Sequence, residues 1–152
     1  DVYAFARAHP DRVRATKGHA KQPRPIQAAT IDITVRGRPV KNGLRLWHLD
    51  SDYMKSWVMQ RLDWPADEPG GWHLPADVED DYCRQITAEQ RVVKPSGAVT
   101  WLRVRKENHF LDCEALNVAA AMMLRVETLA ETPTAPKPRT VIRSRWLEQS
   151  RL

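Results

Sequence analysis

NHFLDCEALNVAAAMMLRVETL, residues 108–129, is the most regular stretch of the chain. Leu111, Ala115, Val118, Ala119, Met122, Val126 and Leu129 recur at helical spacing and make one wide apolar face, with Leu116 and Met123 as a second stripe. The spacing predicts a helix over 111–129. Its small, mostly apolar surface predicts close packing against a sheet. Asp112 sits in its first turn, directly after the basic run Arg103-Val104-Arg105-Lys106. Pattern alone reads such an acid as a helix starter. A carboxylate held there by helix N–H groups can also point toward a phosphate, with a hard divalent cation between them.

Upstream, the chain alternates strand and helix signals. Residues 87–94 and 98–105 flank Pro95-Ser96-Gly97 and read as a β-hairpin that places Val92 near Trp101 or Leu102. Before it, a helix begins near Pro75, with Val78, Tyr82, Cys83 and Ile86 as its buried stripe. Asp50, Ser51 and Asp52 offer N-caps to a helix carrying Tyr53, Met54, Trp57, Val58 and Leu62, which follows directly on a strand at 44–49. That strand is apolar on both faces, as an inner strand is. Ile31, Ile33 and Val35 alternate as a half-buried strand, with turns expected at Arg36-Gly37-Arg38-Pro39 and Lys41-Asn42-Gly43. Further back lie a basic loop from Gly18 to Pro25, a strand at 13–17 and a short helix at 2–8 ended by Pro10.

Composition bounds the possibilities. The chain has 152 residues, 28% of them charged, with a net charge of +5, and its mean hydropathy is −0.57. It suits one globular domain with a tail, and no apolar run approaches the ~20 residues of a membrane span. Most of the basic excess is C-terminal, where Lys137, Arg139, Arg143, Arg145 and Arg151 face only Glu131 and Glu148. A Pro-rich linker over 131–140 separates this tail from a domain over 1–130. Cys83 and Cys113 have no metal-binding spacing and read as reduced, half-buried thiols. Trp47, Trp57, Trp64, Trp72 and Trp101 read as core, since no aromatic interleaves with the basic loop. The start at Asp1, in what looks like mid-helix, suggests a C-terminal fragment of something longer.

From Val2 to about Ala121 the chain resembles the nuclease portion of the large terminase subunit of lambda-like tailed phages. The resemblance is carried by Val2-Tyr3, a strand closing in Lys17-Gly18, Asp52 with Lys55, Arg61-Leu62, and His73 with Pro75. It continues through Gln85-Ile86-Thr87-Ala88-Glu89, Trp101 with a basic run, Asn108, Leu111-Asp112-Cys113 and Ala119-Ala120. Each piece is weak singly; their order over some four-fifths of the chain is specific.

The resemblance implies an α/β fold, an RNase H-like mixed sheet flanked by helices, here lacking the first strand or strands of the parent domain. It implies a metal-dependent endonuclease that cuts concatemeric double-stranded DNA during packaging, using Mg²⁺ or Mn²⁺ in a two-metal site of the complete domain. ATP would serve only the motor domain, and the fragment alone would be inactive. Asp112 would be a metal ligand and catalytic. His109 stands where the family usually has Glu; Mg²⁺ prefers oxygen, so His109 would bind Mn²⁺, touch phosphate, carry a proton near neutral pH, or be a plain surface histidine. Lys17, His19, Lys21 and Arg24, with Lys106, would contact DNA, the alternative for the loop being solvation. Arg143, Arg145 and Trp146 would dock the prohead portal. The small terminase subunit is a further implied partner, and the bacterial host cytoplasm the implied compartment. A rival reading is a catalytically inactive DNA-binding or portal-docking module of a prophage remnant.

Overall fold

The computed structural model describes residues 2–65 and 67–129. The expected Pro-rich linker and basic tail, with Arg143, Arg145 and Trp146, lie outside the described residues. Helix α1 (Val2–Ala8) leads into strand β1 (Ala15–His19), β2 (Ile26–Val35) and β3 (Arg38–Asp50), then helices α2 (Ser51–Leu62) and α3 (Asp80–Ile86). Strands β4 (Glu89–Val93) and β5 (Val99–Arg103) precede α4 (His109–Leu124), which a 3-10 turn over Val126–Thr128 follows.

Three strands form a mixed sheet in the order β1-β3-β2, with β1 parallel and β2 antiparallel to β3. Strands β4 and β5 form a separate hairpin. The result is the expected mixed α/β architecture with an inner strand at 44–49. Strands β2 and β3 are longer than the alternation predicts, for an identifiable reason. Arg36 and Gly37, both at positive φ, make the tight turn between them. The second expected turn, at 41–43, is instead a bulge inside β3. Asn42 adopts φ 50° there, and its amide donates to Asp32 Oδ1 at 2.8 Å while Thr30 Oγ1 donates to its side-chain oxygen. A left-handed Asn stabilised this way kinks a strand without ending it.

Two apolar clusters sit on opposite faces of the sheet. Ala6 of α1 packs with Ala15, Ile33, Leu44 and Leu46. Leu49 instead faces Met54 and Val58 of α2, Ile86 of α3, and Leu111, Ala115, Val118 and Ala119 of α4. Met54, Val58 and Leu111 are essentially shut off from solvent, each contributing about 1.5–3 kcal/mol of burial free energy.

Helix α4 corrects the expectation in three ways. It packs mainly on α2 and α3, with Leu49 and Ile26 the sheet residues in its cluster. It starts at His109 and ends at Leu124, where Arg125 turns left-handed at φ 54°, so Val126 and Leu129 are exposed. Leu116 is exposed as well. Helix α3 begins at Asp80, five residues after Pro75, because Val78 belongs to a turn whose amide donates to the Pro75 carbonyl. Both thiols are exposed, Cys83 included, against the expected half-burial. The hairpin forms as read, one position out of register: Val92 pairs with Thr100 and Arg91 with Trp101. Among the described residues no helix is long and apolar enough to cross a membrane.

Candidate functional site

Four residues from three elements converge at the start of α4. Lys55 Nζ, on α2, lies 2.8 Å from Glu89 Oε2, the first residue of β4, and 2.9 Å from Asp112 Oδ1 in α4. Asn108 Nδ2 donates to Glu89 Oε1 and, at 3.2 Å, to Asp112 Oδ2. Glu89 and Asn108 are buried, and Lys55 is nearly so. Asp112 is held by these two side chains, not by the helix N–H groups expected for it, and half of its side chain still faces solvent.

Local sequence explains the convergence. Asn108 occupies the N-cap of α4, where an Asn side chain normally accepts from the helix amides, yet it makes no such bond and turns toward the two carboxylates. Asp50, which does cap α2, accepts from the amides of Tyr53 at 2.9 Å and Gln22 at 2.8 Å and so ties the loop after β1 to the start of α2. Lys55 follows on the first turns of that helix. Gly18 of β1 approaches so closely that a methyl group would meet Ser51 Oγ at 2.8 Å. Gly18, Ser51, Lys55 and Asp112 line a small cavity of about 180 Å³ beyond the carboxyl ends of the parallel pair β1 and β3, the usual place for a ligand on such strands.

The donor set suits a hard cation in kind. Glu89 and Asp112 bring carboxylate oxygens together on a single positive charge, at present the Lys55 ammonium. Oxygen ligands are what Mg²⁺ demands, and it is often held by one or two carboxylates with water and substrate phosphate completing the shell. Among the described residues no group of three or more His, Cys, Asp or Glu is placed to hold a metal.

Next to this cluster, a second contact fastens the hairpin to α2. Arg91 grips Asp52 with Nε at 2.7 Å and Nη2 at 3.0 Å, and the Trp101 indole N–H donates to the same carboxylate at 3.0 Å. The Arg91 hydrogen bonds, and then that of Trp101, hold the Asp52 carboxyl below its usual range against the opposing effect of burial. A lowered folded-state pKa adds stability that is complete above the unfolded value near 4 and fades as pH falls through the folded one. Asp52→Asn is therefore expected to lower thermal stability at pH 6, with the gap to wild type closing below about pH 4. Melting curves from pH 7 to 2.5 check this; a gap independent of pH refutes it.

The other expected site residues are scattered. His109 is exposed and faces Glu107 Oε2 at 3.1 Å, with no hydrogen bond or ion pair to Asp112 or Lys55. Lys106 is almost fully exposed, 3.7 Å from Glu107. His19 belongs with Lys17 to β1, not to the loop expected from Gly18, because the strand runs on through Gly18. They lie on the sheet face opposite Gly18 and Leu49, and His19 Nε2 meets His48 Nδ1 at 2.8 Å. Lys21 lines an open cleft with Asp50, Asp52 and Arg91, and Arg24 is exposed. Trp57 and Trp72 pack against the core as expected, whereas Trp64 is partly exposed.

Sequence alone assigns Lys55 and Glu89 no role at the site. The available signal is an acid directly after Ile86 and Ala88, which are buried on either side of an exposed Thr87. The comparison with protein families gives a match over residues 1–133 to the endonuclease domain of the terminase large subunit gpA. No curated protein and no solved structure matches the chain. The family match takes in every described element of the fold and all four residues of the Lys55 cluster, and the chain belongs to the terminase large subunit gpA endonuclease domain family.

Proposed function

We propose that Glu89 and Asp112, with Lys55 and Asn108, form the phosphodiester-cleaving centre of a metal-dependent endonuclease that cuts double-stranded DNA for packaging. The observation that carries this reading is the pair of carboxylates gathered on one positive charge at the strand ends. Glu89 and Asp112 would hold Mg²⁺ or Mn²⁺. When bound, such a cation activates water and neutralises charge on the phosphate. The rest falls to the chain itself. Asn108 fixes the rotamers of both acids, and Lys55 is placed to donate to a phosphate oxygen as negative charge grows in the transition state. The second cation of a two-metal site would need acids beyond these two.

The same reading takes the fold as RNase H-like, supported by a β2–β3 hairpin beside a parallel β1 with the site at the strand ends. It takes the small terminase subunit, the prohead portal and ATP hydrolysis by a motor domain as features of the complete subunit in the host cytoplasm. Residues 131–152 would form a linker and portal-docking tail. His109 would assist at the phosphate from its exposed position.

The test is metal removal. In the full-length context, nicking of supercoiled plasmid is expected to stop with EDTA and to return with Mn²⁺ or Mg²⁺, whereas duplex binding survives EDTA. Cleavage that persists without divalent cations defeats the metal assignment. Duplex binding with no cleavage under any metal favours the inactive prophage module instead.

A further inference from the structure

Away from the carboxylates, a groove of about 340 Å³ opens where β3 runs past the start of β1. Arg7 of α1, Arg14, Arg45 and Trp47 line it, and no acid does. The Trp47 ring has the Arg45 guanidinium 4.6 Å and the Arg14 guanidinium 5.9 Å from its centre. Arg14 is further tethered by donating to the Pro10 carbonyl at 2.8 Å. Among the described residues, none of the three arginines has a carboxylate within ion-pair distance. Three guanidiniums on one groove with no acid among its lining residues, two of them packed on one indole, form a preorganised anion receptor.

We propose that this groove grips the phosphate backbone of the DNA duplex on one flank of the cut, a role that rests on the nuclease reading above. Planar guanidinium forks match phosphate oxygens in bidentate fashion. Trp47 has guanidiniums of its own chain packed on it, so it orients cations and offers no free platform for a base. The receptor therefore reads backbone, not sequence. It also lies at a useful distance. Arg45 precedes Asp50, the cap of the helix that carries Lys55, by five positions on β3, roughly 17 Å at the usual strand rise, which corresponds to about five base-pair steps of duplex. A contact there would set the register of the duplex over Asp112 without touching the scissile phosphate.

The experiment measures anisotropy of a labelled duplex against the whole chain over about 50–200 mM salt. The double variant Arg14→Gln/Arg45→Gln is expected to weaken binding roughly 10- to 100-fold at ~100 mM salt, and to lower the log–log salt slope by about two, since each phosphate left without its guanidinium takes away about 0.9. Arg7→Gln/Arg45→Gln, which spares the Pro10 tether, gives the same readout if the first variant folds poorly. Binding and slope equal to wild type in a folded variant overturn the groove. So does a wild-type chain that fails to bind duplex, or that holds a mononucleotide or polyglutamate as tightly. Asp112→Asn in the full-length context separates the two readings: normal binding with abolished cleavage upholds the catalytic centre, whereas retained cleavage beside a reduced slope in the arginine variant leaves the groove standing and removes the proposed catalytic centre.

Discussion

Asp112→Asn, introduced in the full-length context, is expected to lower DNA nicking by about a thousandfold or more, equivalent to some 4 kcal/mol of transition-state stabilisation, while the melting temperature barely moves. The asymmetry follows from where the side chain sits. Half of it is exposed, and partly exposed ion pairs contribute at most about 1 kcal/mol to folding. Asparagine keeps the shape and an oxygen for Lys55, so the fold loses little. What it removes is the negative charge that a hard cation requires. Glu89→Gln is predicted to cost similar activity but also some stability, because its carboxylate is buried between Lys55 and Asn108. A plasmid-nicking time course in Mn²⁺ beside a melting curve separates the two effects. Wild-type nicking by Asp112→Asn would show the cluster to be structural only.

The amino-acid pattern makes some parts of this site legible and hides others, and the reasons differ residue by residue. Asp112 is visible because it is the acid in the first turn of an otherwise largely apolar helix. The parallel pairing of β1 with β3 is hidden because Gly18 and His19 look like the start of a loop, and only the packing of Ser51 against Gly18 shows why a strand with no room for a side chain continues there. Glu89 is hidden because β4 is only five residues long, too short for alternation to mark which side faces inward. Asn42 mimics a turn, since a left-handed Asn serves bulges and turns alike. Helix α4 is legible in kind but not in partner. Ala-rich faces fit a helix as well as a sheet, and here Leu111 and Val118 meet α2 and α3. Asn108 is the informative departure: a residue type that ordinarily caps a helix forgoes the cap to hold two acids, and such local rule-breaking concentrates where function outweighs stability.

Lys55→Met carries the largest expected stability effect. The side chain bridges α2 to β4 and α4 through one ammonium group, and its Glu89 partner is only 7% exposed. Methionine matches the volume and removes the charge. Glu89 is then left as a buried carboxylate with Asn108 as its remaining hydrogen-bond donor, and breaking a buried pair from one side typically costs about 3–5 kcal/mol. For a domain of this size that corresponds to a fall of roughly 6–20 °C in Tm. Adding Glu89→Gln to Lys55→Met removes the stranded charge and keeps an oxygen for Asn108, so the double variant is expected to melt above Lys55→Met, with a coupling energy of about 1–3 kcal/mol. Strictly additive losses would mean that the pair is solvated in solution and that Lys55 does not hold the acids together. Recovered stability without recovered nicking is the combined expectation: a fold can discard a buried charge pair, but a phosphodiesterase that needs two acids beside one cation cannot.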